Sequence, residues 1–318
     1  MRQPSKVCRV TDITHEQWLS FRRTGIGGSD AATVVGLNPY SSLYTLYNDK
    51  LGLLPPKDET EAMRQGRDFE DYVARRWMEA TGKKVRRNCY MWRSNEHPFM
   101  LADIDREVVG ENAGLECKTT SAYNKADLEG GEVPLTYYVQ CLHYMAVMGF
   151  DRMYLAVLVL GVGFYCFTIE RDESEIAALI EQESAFWNGV ETKTPPPVDG
   201  SESTMATIAV IYPTETAAGR VQLTGKAAAL IADIETMKSE QDALKESINR
   251  AKATIMQEIG DAEGGQCDGW RVSWKAQTRN SIDGPALKRD YPEIYQKYSK
   301  QTTSRVFRLT KVKEDKAS

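Results

Sequence analysis

The run "FMLADIDREVVGENAGLECKTTS", residues 99–121, constrains the fold more than any other stretch of the chain. Two apolar, strand-like segments flank a Gly-containing turn, yet together they carry Asp103, Asp105, Glu116 and Lys118. Side chains alternate along a strand, so Glu116 and Lys118 share one face, and so do Asp103 and Asp105. If Gly110 and Glu111 form a two-residue hairpin loop, Val109 pairs with Asn112. Counting outward, Asp105 then lies across from Glu116, and Asp103 across from Lys118. Directly opposed Cβ atoms sit about 4.5–5.5 Å apart. A three-residue loop would shift that register by one but leave each shared face intact. Strands with buried-type neighbours do not carry four charges without partners for them.

Two carboxylates that close repel each other unless something positive lies between them. A hard divalent cation with oxygen ligands meets that need, and magnesium takes one or two carboxylates while keeping several waters. The predicted ligands are Asp105 and Glu116, with the main-chain carbonyl of Cys117 as a further oxygen. Lys118 would orient or help deprotonate a water that attacks a phosphodiester, while the metal steadies the developing charge. Taken alone, a Glu-x-Lys pair is more often a solvated strand edge. Asp105 upstream and the apolar setting favour the site.

The rest of residues 1–191 alternates helical and strand patterns. A short helix is expected over Thr14–Arg23, capped by Thr14, and Ser29 or Asp30 is placed to cap the next one. A long helix over "ETEAMRQGRDFEDYVARRWMEATG" should end at Gly82. Then come "KKVRRNCYMW", "FMLADIDREVV" and "AGLECKTTS" as strands, and a helix from near Pro134 to Gly149. "RMYLAVLVLG" and "GFYCFTIE" are two more strands, and "ESEIAALIEQESAFWNGV" is a closing helix. That order predicts an α/β fold with a mixed central sheet flanked by helices. Residues 192–205, with three consecutive prolines, read as a linker. Residues 206–318 form a C-terminal extension, α-helical with a small α+β part. It holds an amphipathic helix over about 222–260, with apolar residues at Leu223, Leu230, Ile234, Met237, Leu244, Ile248, Ile255 and Ile259.

Composition narrows the function classes. Six scattered cysteines and three scattered histidines, with no CxxC pair, argue against a zinc site or a disulfide framework. A formal net charge of −5 argues against a protein that coats nucleic acid non-specifically, though not against a local basic groove. No apolar run approaches the roughly 20 residues of a membrane span, and no secretory leader pattern is present, so a cytoplasmic location is expected. The "GIGGSD" turn lets backbone approach a phosphate, with Arg22, Arg23, Ser29 and a helix N-terminus supplying donors. A Gly-rich turn beside a solvated arginine pair explains the same residues.

Taken in order, Glu70, "ADID" and "LECK" resemble the core of the PD-(D/E)XK, restriction-endonuclease-like nucleases. The blocks "WLSFRRTGIGGSDAATVVGLNPY", "GRDFEDYVA", "FMLADIDREV…GLECKTT" and "YYVQCLHYMAVMG" more specifically resemble the YqaJ-type viral recombinases, relatives of phage lambda exonuclease. The resemblance implies a magnesium-dependent 5′→3′ exonuclease on linear double-stranded DNA, with manganese able to substitute. It would leave a 3′ overhang for a single-strand annealing protein, be phage or prophage encoded in a bacterial host, and form a homo-oligomer, a trimeric ring. By the same resemblance Asp105 and Glu116 match metal ligands, Lys118 the catalytic lysine, Glu70 the helix carboxylate and Gln140 the glutamine of the following helix. Arg22 and Ser29 match the residues near the 5′ phosphate. Asp103 would be a supporting group behind the ligands, and His143 either lines the site or fills the core. An endonuclease of the same superfamily and a non-catalytic DNA-binding scaffold are the competing readings.

Overall fold

The computed structural model describes residues 3–311, apart from 57, 123–127, 129, 216–218 and 302. Two runs expected as single strands are each cut in two, and the halves enter different sheets. "KKVRRNCYMW" becomes β3 (Val85–Arg87) and β4 (Tyr90–Arg93). "FMLADIDREVV" becomes β5 (Met100–Asp103) and β6 (Arg106–Val108). Both breaks fall at one level. Asn88 N donates to the Asp105 carbonyl, and the Asn88 side chain donates to Glu107 Oε1 at 2.7 Å while accepting from Tyr90 N and Trp92 Nε1. Asn88 thus closes the corner at which both strands change sheets.

Beyond the corner, β6 pairs with β7 (Ala113–Thr120), with Arg106 opposite Leu115 and Glu107 opposite Gly114. This is the register counted from a Gly110–Glu111 loop, and Gly110 adopts the positive φ of 85° that such a turn requires. Next to β7 runs β8 (Arg152–Val159), and then β9 (Gly163–Glu170). The sheet order is β3-β6-β7-β8-β9, antiparallel except for the parallel β7–β8 pair, so the sheet is mixed. The crossover between these parallel strands contains helix α5 (Leu135–Met148), which stops at left-handed Gly149. In the four-stranded sheet the order is β1 (Ser5–Arg9), β4, β5 and β2 (Ile26–Gly27).

The α-helices described in the N-terminal part are α1 (His15–Arg22), α2 (Gly28–Val34), α3 (Leu43–Lys50) and α4 (Glu61–Thr81). Thr14 caps α1 in a reciprocal box with Gln17, and left-handed Gly82 ends α4. Because β8 carries no charged residue from Met153 to Val159, it can be covered on both faces. Met153, Leu155 and Val157 face α5, whereas Tyr154 and Ala156 pack with Val73, Ala74 and Trp77 of α4. The five-stranded sheet is therefore a middle layer, with α4 on one face and α5 on the other. Helix α6 (Glu173–Glu191) packs on α5.

Residues 192–205 are not one continuous linker. After the prolines the chain forms α7 (Glu202–Ile211), and this compact unit extends to Tyr212. Thr204 and Thr207 are buried; Thr204 donates to Ser42 Oγ at 2.7 Å, and the hydroxyls of Thr45 and Thr207 lie 2.8 Å apart. The second unit, from Pro213, contains the long helix α8 (Gly225–Ile259), a hairpin of β10 (Gly264–Cys267) and β11 (Trp270–Ser273), and the short helices α9 (Gly284–Asp290) and α10 (Pro292–Tyr298). Among the described residues no helix is long and apolar enough to cross a membrane. The docking of α7 has a measurable consequence. A chain truncated after Glu191 should melt at least about 4 °C below one truncated after Tyr212, because it strips buried partners from Ser42 and Thr45. Thermal unfolding followed by circular dichroism measures both, and equal midpoints would mean that α7 adds nothing to the fold.

Candidate active site

On β7, Gly114, Glu116 and Lys118 point to the α5 face, because Ala113, Leu115 and Cys117 pack toward α4. Gly114 has no room for a side chain: a Cβ there would lie 2.5 Å from Met153 Sδ. Two residues on, Glu116 is only 3% exposed. Its Oε1 accepts from Lys118 Nζ at 2.8 Å and from Gln140 Nε2 of α5 at 2.6 Å. Its Oε2 is buried with no hydrogen-bond partner. Asp105 sits just past the corner, where its Oδ2 accepts the Cys117 main-chain N–H at 2.8 Å. The structure thus brings Asp105, Glu116, Cys117, Lys118 and Gln140 into one cluster.

Electrostatics follow from that burial. Asp105 is pushed well above the usual carboxylate range, first by desolvation and then by the charges of Glu116 and Glu70. Glu116 is also raised, burial outweighing the attraction of Lys118. For Lys118, burial disfavours the ammonium, but Glu116 and Asp105 overcome it and lift its pKa above the ordinary value. Lys118 therefore serves as an internal counter-ion, and its ammonium also lies 5.4 Å from the ring centre of Tyr137.

Glu70 projects from α4 toward the same carboxylates, near enough that its charge contributes to both upward shifts. Its own partner is Arg106, which the sequence did not single out. Buried Arg106 binds Glu70 and Asp71 and donates to the Asp105 carbonyl at 2.7 Å. A lone arginine at a strand start, paired to residues 35 and 36 positions away, gives no local signal.

Helix α2 approaches α5 closely. A Cβ on Gly28 would lie 2.5 Å from Tyr144 Cε1 and 3.1 Å from Gln140 Cγ. That contact holds Ser29 beside the cluster, and both Ser29 and Gln140 line a cleft of about 660 Å³ with Asn38, Tyr40, Thr120 and Tyr137. Arg22 Nη2 donates to Ser29 Oγ at 2.9 Å and Asp30 Oδ1 at 2.8 Å. Asp30 also accepts from Gly27 N and from the buried Lys50 ammonium at 2.7 Å. Burial alone would raise the Asp30 carboxyl, but Arg22 and Lys50 hold it far below the usual range. Lys50 belongs to a helix with no distinguishing motif, so sequence reading missed it.

One expectation needs correction, and for His143 the structure takes the core alternative. Asp103 does not lie across from Lys118: it ends β5 in the other sheet, where its partner is Met91. The strand bends between Asp103 and Arg106, so hairpin counting fails beyond Asp105. Asp103 Oδ2 instead accepts Trp18 Nε1 at 2.8 Å, and the Arg22 guanidinium lies 5.1 Å from the Trp18 ring centre. Asp103 supports Arg22 through that indole. His143 does not line the cluster. Fully buried, it is 2.7 Å from Glu183 through Nδ1 and 2.8 Å from the Leu101 carbonyl through Nε2. Facing two acceptors, its ring is placed to be doubly protonated. Burial lowers the imidazole pKa, but Glu183 and the Leu101 carbonyl raise it more.

Among the described residues no group of three or more His, Cys, Asp and Glu side chains is arranged to hold a metal ion. A magnesium ion asks for less, one or two carboxylates with water making up the rest. Asp105, Glu116 and the Cys117 carbonyl form an all-oxygen donor set, and the bare Oε2 of Glu116 is the kind of buried orphan that a cation would satisfy. Glu183 Oε2 is also bare, but that carboxylate already faces His143.

The model of the YqaJ-like viral recombinase domain matches residues 17–151, a span that holds every residue of the cluster. The YqaJ protein of Bacillus subtilis is 36% identical over 310 residues, which cover 96% of this chain and 97% of that protein. Among solved structures, an alkaline exonuclease from Laribacter hongkongensis is similar over 56% of this chain and 93% of its own, at 21% identity and a TM-score of 0.48. A phage-related exonuclease from Haemophilus somnus is similar over 55% and 97%, at 14% identity and a TM-score of 0.42.

The His143–Glu183 pair gives a pH-dependent prediction. A raised histidine pKa contributes stability that is complete below the unfolded value of about 6.5 and is lost as pH rises through the folded value. Glu183→Gln should therefore cost about 3–5 kcal/mol near pH 6, and less at alkaline pH. Urea denaturation of both proteins at the two pH values measures this, and equal losses would mean that the pair is not charged.

Proposed function

The chain belongs to the YqaJ-like viral recombinase family, and from that premise we propose that it is a nuclease of the PD-(D/E)XK type. Its reaction is magnesium-dependent 5′→3′ exonuclease digestion of linear double-stranded DNA, leaving a 3′ single strand for an annealing protein. Manganese can replace magnesium, and the setting is the cytoplasm of a bacterial host. The observation that carries the reading is Glu116, whose one carboxylate oxygen is held by Lys118 and Gln140 while the other is buried and bare beside Asp105.

Asp105, Glu116 and the Cys117 carbonyl would hold the cation. When bound, magnesium supplies a Lewis acid for the phosphate oxygens and lowers the pKa of water. Gln140 fixes Glu116 by its hydrogen bond to Oε1. Lys118, whose ammonium is held at Glu116 Oε1, would orient the attacking water and meet the charge growing on the phosphate. Glu70 adds a third negative group to the cluster, oriented by Arg106. Arg22 and Ser29, already joined to each other, receive the 5′-terminal phosphate. Asp30 and Lys50 hold that arginine in place, and Asp103 does so through Trp18.

Digestion of end-labelled linear duplex, with and without magnesium, tests activity, metal and polarity together. Lys118→Ala should slow it by about 100-fold or more, and covalently closed circles should stay intact. A Lys118→Ala protein that digests at the wild-type rate would sink the assignment, and nicked circles would turn it toward an endonuclease. Arg22→Ala should abolish the preference for 5′-phosphorylated over 5′-hydroxyl ends. An unchanged preference would remove Arg22 from that role.

A further inference from the structure

The family model ends at residue 151, and every residue of the acid–lysine cluster lies in the first compact unit. The second unit has a chemistry of its own. Residues 264–318 carry 12 Lys and Arg against 6 Asp and Glu, a net +6 in a chain whose total is −5. All ten Lys and Arg between 264 and 311 are exposed. Among the described residues only Lys275, Arg289 and Lys311 of these ten form ion pairs with carboxylates. A basic segment that does not neutralise itself, in an otherwise acidic chain, fits a polyanion.

The aromatic residues say which polyanion. Trp270, Tyr291, Tyr298 and Phe307 are 60% to 77% exposed. Phosphates alone would ask only for the charges, and duplex DNA keeps the flat faces of its bases stacked inside. A single strand offers both phosphates and free base faces, and interleaved cations and rings serve the two together. The hairpin shows how. Asp268 and Gly269 turn it with positive φ of 42° and 82°. Trp270 then opposes Cys267, Arg271 opposes Gln266 and Val272 opposes Gly265. Trp274 N extends the ladder by donating to the Glu263 carbonyl at 2.9 Å. Alternation puts Trp270, Val272 and Trp274 on one face, with the indoles about 13 Å apart, and Arg271 on the other. Gly265 adds no side chain between them, and among the described residues β11 pairs with β10 alone, so its outer edge is open. A strand lying along that edge meets rings on one side and a guanidinium on the other.

We propose that this hairpin binds single-stranded DNA, with bases stacked on Trp270 and Trp274 and phosphates met by Arg271 and the basic residues that follow it. The source of the strand rests on the nuclease reading: it is the 3′ strand that digestion leaves.

Fluorescence anisotropy of a labelled oligothymidylate of about 20 nucleotides, longer than one such site, tests this with the full chain in EDTA. Binding is then read without cleavage. The expected result is micromolar or tighter binding that weakens with salt. Trp270→Ala and Trp274→Ala should each weaken it by about 10-fold, and Trp270→Phe, which keeps a stacking face, should restore most of the loss. A wild type that does not bind, or a Trp270→Ala protein that binds as tightly as wild type, overturns the proposal. An equal loss on duplex of the same length also overturns it, because the indole would not be reading free bases. So does a Trp270→Ala protein with a changed number of copies in sedimentation, since that face would then be a subunit contact. Tryptophan-dependent binding in a chain that digests no DNA would remove the nuclease reading and leave the surface standing.

Discussion

Two carboxylates buried one strand apart, Asp105 and Glu116, set the terms that the surrounding structure has to meet. Each loses solvation; Asp105 also feels the charges of Glu116 and Glu70, and Glu116 those of Glu70 and Asp103, so both hold their protons more tightly than they would in water. The fold answers with groups drawn from three layers. Lys118 comes from the same strand as Glu116 and Gln140 from the helix above, while the backbone N–H of Cys117 serves Asp105. Below the sheet, Arg106 steadies Glu70, which would otherwise add a third unbalanced charge. The packing of α4 and α5 on opposite faces of one sheet is what brings these groups within reach.

A second set of charges is arranged around Arg22. Asp30 is shared by Arg22, Lys50 and a main-chain N–H at the start of α2, so the arginine is held by a carboxylate that is itself fully occupied. From another side, Asp103 holds the indole of Trp18 near the guanidinium. Neither arrangement touches Glu116, yet Gly28 places α2 against Gln140 and Tyr144 with no space to spare. The two groups of charges therefore meet across a glycine contact, not across a loop.

What could be read in the sequence divides along physical lines. The β6–β7 register was legible because a Gly-containing two-residue turn leaves few choices, and the residues nearest the turn obey it. Helix ends were legible at Thr14, Gly82 and Gly149, where caps and left-handed glycines act locally. Asp103 was misplaced because alternation continues through a strand that changes sheets, and nothing in "LADIDRE" marks the bend. Arg106, Lys50 and Glu183 escaped notice because their partners are distant in sequence and a single charge looks like surface until its neighbours are known. Helix α7 was hidden behind the prolines: its buried residues are threonines, whose hydroxyls pair with Ser42 and Thr45 and leave no apolar period to detect.

The shared corner at Asn88 and Asp105 also acts as a ruler. Strand β2, four residues after Arg22, pairs directly with β5 at Met100 and Leu101, and β5 becomes the segment bearing Asp105 within a single bend. The separation between arginine and carboxylate is thus measured out in main-chain hydrogen bonds and covalent backbone. Side chains at either end can be exchanged without recalibrating that length. Substitutions at the ends leave that spacing unchanged, while insertions within the ladder would shift both ends at once.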